Sequence, residues 1–413
     1  MNIVFIHPNF PGQFGYLAEA SGKEKDNKTA FITLATANKE MQIPGVKKII
    51  VADKKPEEPE GAKKKEGQQP QTSPALLVAN GLMSLKKQDY VPDLIIGHSG
   101  PGTSFYVKDV FPETPFLSFF EWFHSPDKIN DKFESAADPD LKIRMNLRNK
   151  NLSILSDLCA CDHGICPTDW QKSQFPEEFL EKLSVVHQGI DTDSFKPQED
   201  QKFKTDDLDL SDAKQLVTYT ANVLAPYMGF QQFMESIPAV LKQKPETHIV
   251  IAGSDRVAVK DQSDNKKTYK SLILEKIELD LDRVHFLEGL KYDEYKMLLQ
   301  SSSAHVYLDS PLVLSRSLLE AMASECLVIA PDIPPVKEVI KDGNNGIIAD
   351  FSTPEKIAEK IIACLDYPSF MKEVKHKARK TIVEKYALKK VMPEHLNIIK
   401  KLVAKGKDQT QFG

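Results

Sequence analysis

A single glutamate, Glu320, lies inside the otherwise apolar stretch "SPLVLSRSLLEAMASECLVIAPD" at residues 310–332. The spacing of the apolar residues predicts a short helix that opens at Ser315 and is followed by a buried strand. Leucine, methionine and alanine surround Glu320 in that helix, and the only basic residue nearby is Arg316. A carboxylate in such surroundings either accepts hydrogen bonds from a polar partner or is favoured simply by the dipole at the start of a helix.

A second group of reactive residue types is the segment "CACDHGIC", which spaces Cys159, Cys161, His163 and Cys166 as metal ligands are often spaced. The surrounding pattern, however, predicts the end of a helix, a tight turn and a buried strand, and free cysteine is commonly buried as a small apolar residue. No second Cys/His pair follows at the usual spacing of a zinc site, so we predict no metal. An odd total of five cysteines also argues against a disulfide framework.

Composition limits the classes of protein that remain. The chain has 413 residues, which predicts two domains, and 27% charged residues, which is typical of a globular protein. A net charge of −5 gives no general attraction to nucleic acid. The first residues, "MNIVFIHPNF", have the pattern of a strand rather than a signal peptide, and no apolar run is long enough to span a membrane. We therefore expect a cytoplasmic protein with at most peripheral membrane contact.

Short apolar runs rich in Val, Ile, Phe and Leu alternate with helical patterns along the whole chain. This alternation predicts an α/β fold with doubly wound parallel sheets. An acidic, polar stretch around 196–212 suggests a linker, which gives a first Rossmann-like domain at 1–198 and a second at 199–385. The segment at about 53–74 has no apolar periodicity and is predicted to be a mobile surface loop. No G-x-G-x-x-G pattern follows a strand with an acid about 20 residues on, so a Rossmann dehydrogenase is excluded.

Several segments, in order, resemble one enzyme family. "FIHPNFPGQF", "PTDWQKSQFP", "VVHQGIDTDSF", "YMGFQQFMESI" and "HVYLDSPLVLSRSLLEAMASECLVIAPD" are similar to family-four glycosyltransferases of the GT-B fold, most closely to a bacterial branch that begins H-x-N-F-P-G-Q-F. The resemblance covers nearly the whole chain. It implies two Rossmann-like domains facing a central cleft, with the first domain completed by a C-terminal helix at about 386–406.

The resemblance also implies a reaction. Such enzymes transfer a sugar from a nucleotide-sugar to an acceptor with retention and without a metal or other cofactor, and they bind the donor mainly in the second domain. Glu320 matches the family position whose carboxylate holds the two hydroxyls of the donor ribose. The helix start at Leu314, Ser315 and Arg316 is expected to meet the donor diphosphate, because helix N-termini attract anions. In the first domain, Gly12 allows the backbone to approach the diphosphate or the acceptor closely.

The basic residues of the diphosphate site depart from the family pattern. Where relatives place an arginine and then a lysine or arginine, this chain has Asn222 and Met228. Loss of even one cationic donor typically costs several kcal/mol of transition-state stabilisation. Arg316 replaces a tryptophan of the branch and is the one credible source of a substitute charge, with Arg256 as a weaker candidate.

Two residues of the first domain are candidates for catalysis on the acceptor side. His98 ends the strand "DLIIGHS", and Glu121 lies in "SFFEWFHS", at a position where the branch carries Glu. Glu121 is the better group for orienting an acceptor hydroxyl. A lone histidine at the end of a strand is more often an ordinary hydrogen-bonded turn residue.

Two hypotheses therefore remain open. The chain is either an active retaining glycosyltransferase acting on a glycan, a lipid-linked or a protein acceptor, or a catalytically impaired GT-B subunit that binds and stabilises an active partner glycosyltransferase. A contact between Arg316 and the phosphates favours the first, and an ion pair between Arg316 and an acid such as Asp309 favours the second. The sequence leaves the nucleotide base, the sugar, the acceptor and the oligomeric state undetermined.

Overall fold

The computed structural model describes residues 1–34, 40–52, 73–125, 141–226, 229–256, 258–260, 266–308 and 313–411. Residues 53–72 of the predicted loop, and Met228, lie outside the described residues. The chain forms two compact units. The first contains the described residues up to Gln188 together with those from Met392 onward, and the second contains Gly189–Val391.

The first unit is built on a seven-stranded sheet in which all neighbouring strands are parallel. Its strands are β1 (Asn2–Ile6), β2 (Lys28–Leu34), β3 (Val46–Val51), β4 (Leu94–His98), β5 (Phe116–Phe119), β6 (His163–Cys166) and β7 (Leu183–Val185). They lie in the order β3-β2-β1-β4-β5-β6-β7. Its helices are α1 (Gly15–Lys23), α2 (Pro74–Lys86), α3 (Val107–Val110), α4 (Leu141–Ala160) and α5 (Asp169–Lys172).

The second unit repeats this architecture with a six-stranded parallel sheet. Its strands are β8 (Gln215–Val223), β9 (Thr247–Ser254), β12 (Val284–Leu287), β13 (Ala304–Val306), β14 (Val328–Pro331) and β15 (Ile347–Ala349), and β10 (Ala258–Lys260) and β11 (Lys266–Thr268) form a separate antiparallel ribbon. The sheet order is β12-β9-β8-β13-β14-β15. Its helices are α6 (Phe230–Gln243), α7 (Tyr269–Leu274), α8 (Tyr292–Ser301), α9 (Arg316–Ala323), α10 (Pro334–Lys337), α11 (Pro354–Asp366) and α12 (Pro368–Lys385).

Burial explains why these segments form central strands. Val4, Phe5 and Ile6 of β1 and Ile249 to Ile251 of β9 are completely buried, as expected for parallel strands covered by helices on both faces. Helix α6 turns Phe230, Phe233 and Ile237 into the core of the second unit at helical spacing. The predicted α/β class with doubly wound parallel sheets is therefore confirmed in each unit.

The chain ends in a long helix, α13 (Leu388–Gln411), whose residues from Met392 onward belong to the first unit. Val391, Ile399 and Val403 are buried on one side of α13, and lysines occupy its exposed side. None of the described helices combines the length and the hydropathy needed to cross a bilayer.

Candidate functional site

A cavity of about 620 Å³ opens in the second unit where β8, β9, β12 and β13 end. Ligands of doubly wound sheets bind at the carboxyl ends of the strands, so this is the expected place for a site. The cavity is lined by Thr220, Ala221, Asn222, Ala252, Gly253, Ser254, Arg256, Glu288, Gly289, Leu290, Tyr292, Tyr295, Tyr307, Leu308, Ser315, Arg316, Ser317 and Glu320. Four of the predicted site residues, namely Asn222, Ser315, Arg316 and Glu320, thus lie together on its wall.

Glu320 is the buried carboxylate of this cavity. It lies on α9, whose neighbouring residues Leu318, Leu319 and Met322 are buried in the core, and its own side chain is only 9% exposed. The Nη2 atom of Arg316, one helical turn earlier, donates to its Oε1 at 3.2 Å. Burial raises the pKa of Glu320, and the nearby Arg316 guanidinium offsets this only in part.

Two tyrosines extend the polar part of the cavity, and no pattern in the sequence indicated either of them. Tyr295 of α8 is half-buried with its hydroxyl buried, and its pKa lies well above its usual value because of burial and of the adjacent Glu320 carboxylate. The two groups face each other without the geometry of a regular hydrogen bond. Tyr307 follows β13, and its hydroxyl oxygen accepts the backbone N–H of Ser315 at 3.3 Å.

The start of α9 has the predicted cap. Ser315 is the N-cap residue, and its Oγ accepts the backbone N–H of Ser317 at 3.3 Å, so one amide of the first turn is already bonded within the protein. The Leu314 side chain packs in the hydrophobic core and is not part of the cavity wall. Leu314 therefore has only its backbone to offer to a ligand.

The charge of the cavity is nearly balanced. Among its described lining residues the cations are Arg256 and Arg316, and the anions are Glu288 and Glu320. Arg256 is exposed, and its Nε donates to Ser254 Oγ at 2.5 Å. Asn222 is the next-to-last residue of β8, lies on the cavity wall and is neutral.

In the first unit the sheet ends in a group of ionisable side chains. The Nε2 atom of His98, the last residue of β4, lies 3.8 Å from Oε2 of Glu121, which follows β5. The ring of His98 also stacks on His7, with ring centroids 4.9 Å apart. The two predicted catalytic residues are thus neighbours, and His7, at the end of β1 in the segment "FIHPNF", is a third member that the sequence analysis did not assign.

The pKa values in this group reflect the two histidines. Burial and the neighbouring His98 lower the pKa of His7 to about 4. Partial burial acts to raise the pKa of Glu121, but His98, followed by His7, more than offsets this, and the pKa falls below its usual value. Glu121 is therefore an anion that accepts hydrogen bonds near neutral pH.

Gly12 lies next to this group of ionisable side chains in the first unit. It has a φ angle of +53°, and a Cβ atom built there would lie 2.3 Å from Cε1 of His7. Only glycine combines that backbone conformation with such a close neighbour. The structure therefore places Gly12 against His7, at the end of β1.

A buried acid, Asp157 of α4, fixes the loop that follows β4. The Oγ of Ser104 donates to both carboxylate oxygens, at 2.9 and 3.0 Å. Burial raises the pKa of Asp157 to about 6. One turn earlier on α4, Ser153 Oγ donates to the Gly100 carbonyl at 2.9 Å, so two side chains of one helix hold this glycine-rich loop. Within the part of the chain that the structure describes, no group of three or more His, Cys, Asp or Glu side chains is arranged to hold a metal.

Comparison with known families assigns both halves of the chain. Residues 25–195 match the model of the glycosyl transferase family 4 group, and residues 201–381 match that of the glycosyl transferases group 1. An uncharacterized glycosyltransferase from Methanocaldococcus jannaschii is 30% identical over 116 residues, a stretch that covers 27% of this chain and only 30% of that protein.

Solved structures resemble the chain over almost its full length. HepE from Anabaena, in complex with UDP-glucose, has a TM-score of 0.69 at 15% identity over 97% of this chain and 100% of its own. Sucrose-phosphate synthase from Thermosynechococcus elongatus has a TM-score of 0.69 at 14% identity over 98% and 99%. At such identity the likeness concerns the fold, and it confirms the predicted GT-B class.

Proposed function

Because the chain carries both domains of the GT-B glycosyltransferases, we propose that it transfers a sugar from a nucleoside-diphosphate sugar to an acceptor hydroxyl, with retention and without a metal. The donor binds in the cavity of the second unit, and UDP-glucose is the first donor to test because HepE binds it. The acceptor is a glycan, a lipid-linked or a protein-bound hydroxyl compound, and the reaction takes place in the cytoplasm.

The buried Glu320 carboxylate carries this proposal. A ribose offers two adjacent hydroxyls, and one carboxylate accepts hydrogen bonds from both. Hydrogen bonds to a charged group contribute more than those between neutral groups, about 1.5–3 kcal/mol each. The helix-start dipole alone accounts for a glutamate at the surface of the first turn, but Glu320 is in the second turn and only 9% exposed, inside the cavity.

Arg316 is the cation next to that carboxylate. It already pairs with Glu320 at 3.2 Å, and its side chain is 37% exposed on the cavity wall. A bound diphosphate brings about two negative charges, and we propose that the guanidinium then bonds to the phosphates while the ribose hydroxyls take over the hydrogen bonding of Glu320. Arg316, the helix start at Ser315 and the amide of Asn222 are together proposed to do the work of the two basic residues that the family pattern has at positions 222 and 228.

On the acceptor side, Glu121 is the group proposed to orient the attacking hydroxyl. Its carboxylate stays ionised because of the adjacent histidines, so it accepts a hydrogen bond from that hydroxyl. His98 lies 3.8 Å away and is proposed to hold Glu121 in position. Gly12 lets the backbone approach this group closely.

The Arg316–Glu320 ion pair also favours a second function. An arginine committed to an acid leaves the diphosphate without its cation, and the described cavity wall offers only Arg256 besides. In that case the chain is a catalytically impaired GT-B subunit that binds and stabilises an active partner glycosyltransferase.

Calorimetric titration of the purified protein with UDP, GDP, ADP, TDP and their common sugar conjugates tests the proposal. We expect one nucleotide series to bind, and Glu320→Ala to weaken that binding by roughly 10- to 100-fold, as expected for the loss of hydrogen bonds to a charged group. Glu359→Ala, on the exposed side of α11, removes the same charge outside the cavity and is the matched control. Far-UV circular dichroism checks that both variants are folded.

An assay of turnover distinguishes the active glycosyltransferase from the catalytically impaired subunit. Transfer to an acceptor, or slow release of free sugar from the donor, supports the enzyme, and the anomeric configuration of the product establishes retention. Binding without turnover in the presence of varied acceptors supports the impaired subunit. Absence of binding at millimolar ligand overturns the donor site itself.

A further inference from the structure

Helix α4 of the first unit has two apolar sides, and only one of them is covered. Ile154 and Leu158 are buried in the core. On the other side, Leu141, Met145 and Leu152 are 73%, 57% and 61% exposed. At 3.6 residues per turn these three side chains lie within about 40° of arc, roughly opposite the buried ones. We call them the outer stripe of α4.

The outer stripe is bordered by positive charge. At helical spacing Lys142 and Arg144 lie about 80° to either side of the stripe and Arg148 lies between Met145 and Leu152, and residues 141–156 contain no aspartate or glutamate. The first acid of the helix is Asp157, which is buried and hydrogen-bonded to Ser104. The exposed part of α4 is therefore uniformly cationic around an apolar centre, although the chain as a whole carries a net charge of −5.

We propose that this half of α4 docks on an anionic phospholipid surface. The outer stripe enters the boundary between headgroups and acyl chains, and the basic side chains bind lipid phosphates. A helix that combines exposed Leu and Met with flanking Lys and Arg is suited to that position, and each basic residue near an anionic surface contributes roughly fivefold to binding. This proposal does not depend on which reaction the chain catalyses.

The stripe and the charge together favour lipid over other partners. A nucleic acid binds cations along its phosphates and gives an exposed row of Leu and Met nothing to pack against. A protein interface has an apolar centre in which charged residues are depleted, whereas Lys142 borders the stripe and Arg148 lies within it.

Helix α13 provides a matched contrast within the same unit. Its exposed residues include Lys400, Lys401 and Lys405, but its large apolar residues Ile399, Leu402 and Val403 are buried. The described side chains of α13 include no large exposed hydrophobic residue. Helix α13 therefore exposes lysines without an apolar stripe, whereas α4 exposes basic residues together with one.

Vesicle flotation of the full chain tests the proposal. Large vesicles of phosphatidylcholine alone are compared with vesicles that also contain phosphatidylglycerol. We expect the protein to float only with the anionic vesicles and to be released by high salt. Leu141→Gln/Met145→Gln/Leu152→Gln should abolish flotation, and Lys142→Gln/Arg148→Gln should reduce the partition coefficient about 25-fold, at roughly fivefold per charge. Lys400→Gln/Lys401→Gln/Lys405→Gln should change it less than the α4 charge variant does, although it removes one more charge.

Three results overturn the proposal. They are no flotation with anionic vesicles, equal flotation with neutral vesicles, and a loss in the α13 variant as large as in the α4 charge variant. Binding of the protein to an acidic polynucleotide without any binding to vesicles also overturns it. Because the altered side chains are exposed, nucleotide titration of the same variants should be unchanged, and failure of the donor site is thereby distinguished from failure of membrane docking.

Discussion

The first unit places Glu121 at the carboxyl ends of its strands, and the second unit places Glu320 in the corresponding region of its own sheet. The two carboxylates have opposite pKa shifts. At Glu121, His98 and His7 lower the pKa by more than partial burial raises it. At Glu320, burial raises the pKa by more than Arg316 lowers it. The same type of sheet therefore carries, in each unit, an acid whose pKa is shifted in the opposite direction from that in the other unit.

The difference shows that a formal charge nearby does not decide the pKa of an acid. Arg316 carries a full charge 3.2 Å from Glu320, yet the desolvation of a side chain that is 9% exposed outweighs it. Burial also acts to raise the pKa of Glu121, but the neighbouring His98 and His7 together outweigh it. A buried acid beside one cation suits the binding of ligand hydroxyls, and an acid kept ionised by its neighbours suits the orientation of a hydroxyl that must react.

The first strand-to-helix turns of the units allow a similar comparison. Gly12 follows β1 and Gly229 precedes α6, with φ angles of +53° and +63°. An added Cβ at Gly12 would lie 2.3 Å from the His7 ring, but at Gly229 it would meet the flexible Leu308 side chain at 2.9 Å. We expect Gly12→Ala to destabilise the first unit by about 2–4 kcal/mol, and Gly229→Ala to destabilise the second by about 1–2 kcal/mol.

Urea unfolding followed by two probes measures these effects separately. Both tryptophans, Trp122 and Trp170, belong to the first unit, so their fluorescence reports that unit alone, whereas far-UV circular dichroism reports both. Gly102→Ala is the control for backbone strain, because its φ is +75° and the added Cβ would meet only Ser153 Cβ, at an ordinary 3.7 Å. Equal losses in Gly12→Ala and Gly102→Ala would show that the His7 contact contributes nothing.

Much of the second unit's site was predictable from local sequence. The helix opening at Ser315, the burial of its apolar face and the position of Glu320 within it all depend on residues within a few turns of one another. Helix periodicity and capping are local properties, so a linear pattern is enough to predict them. The two parallel sheets were also predictable, because the alternation of strand and helix patterns can be read from the linear sequence.

The contacts between distant segments were not predictable in this way. His7, His98 and Glu121 come from three different strand ends, and only the sheet order brings them together. Tyr295 reaches Glu320 from α8, and no pattern in its own segment indicates this. From the sequence, an acid such as Asp309 was a candidate partner for Arg316. That residue lies outside the described ones, and the observed partner is Glu320 in the same helix.

The Arg316–Glu320 pair gives the second prediction. Arg316→Met leaves the buried carboxylate without its cation, so the pKa of Glu320 should rise further and the second unit should lose about 1–2 kcal/mol, less than for a fully buried pair because Arg316 is 37% exposed. The double variant Arg316→Met/Glu320→Gln should recover most of that loss, since no buried charge remains. Circular dichroism should detect the change and tryptophan fluorescence should not. A stable single variant would show that the pair adds no net stability.

The smallest expected effect is on pH dependence, and its sign should differ between the units. Folded Glu121 binds a proton less readily than unfolded Glu121, so its contribution is complete above the ordinary pKa of 4.5 and is lost as the pH falls through the lowered folded pKa. Folded Glu320 binds a proton more readily than the unfolded residue, so the second unit gains stability as the pH falls through its raised pKa towards 4.5.

Replacing each glutamate with glutamine removes its titration, so the opposite pH dependences of stability in the two units can be measured. Between about pH 6 and pH 3, the first unit of Glu121→Gln should lose less stability than that of the unaltered protein, as followed by tryptophan fluorescence. Over the same range, the second unit of Glu320→Gln should lose more, as followed by circular dichroism. His7, whose pKa is about 4, titrates in the same range and cancels from the Glu320→Gln comparison. In Glu121→Gln it loses a carboxylate that raises its pKa, so that difference includes the change at His7. Shifts of the same sign in the two variants would mean that the two carboxylates are not the contrasting pair that their surroundings indicate.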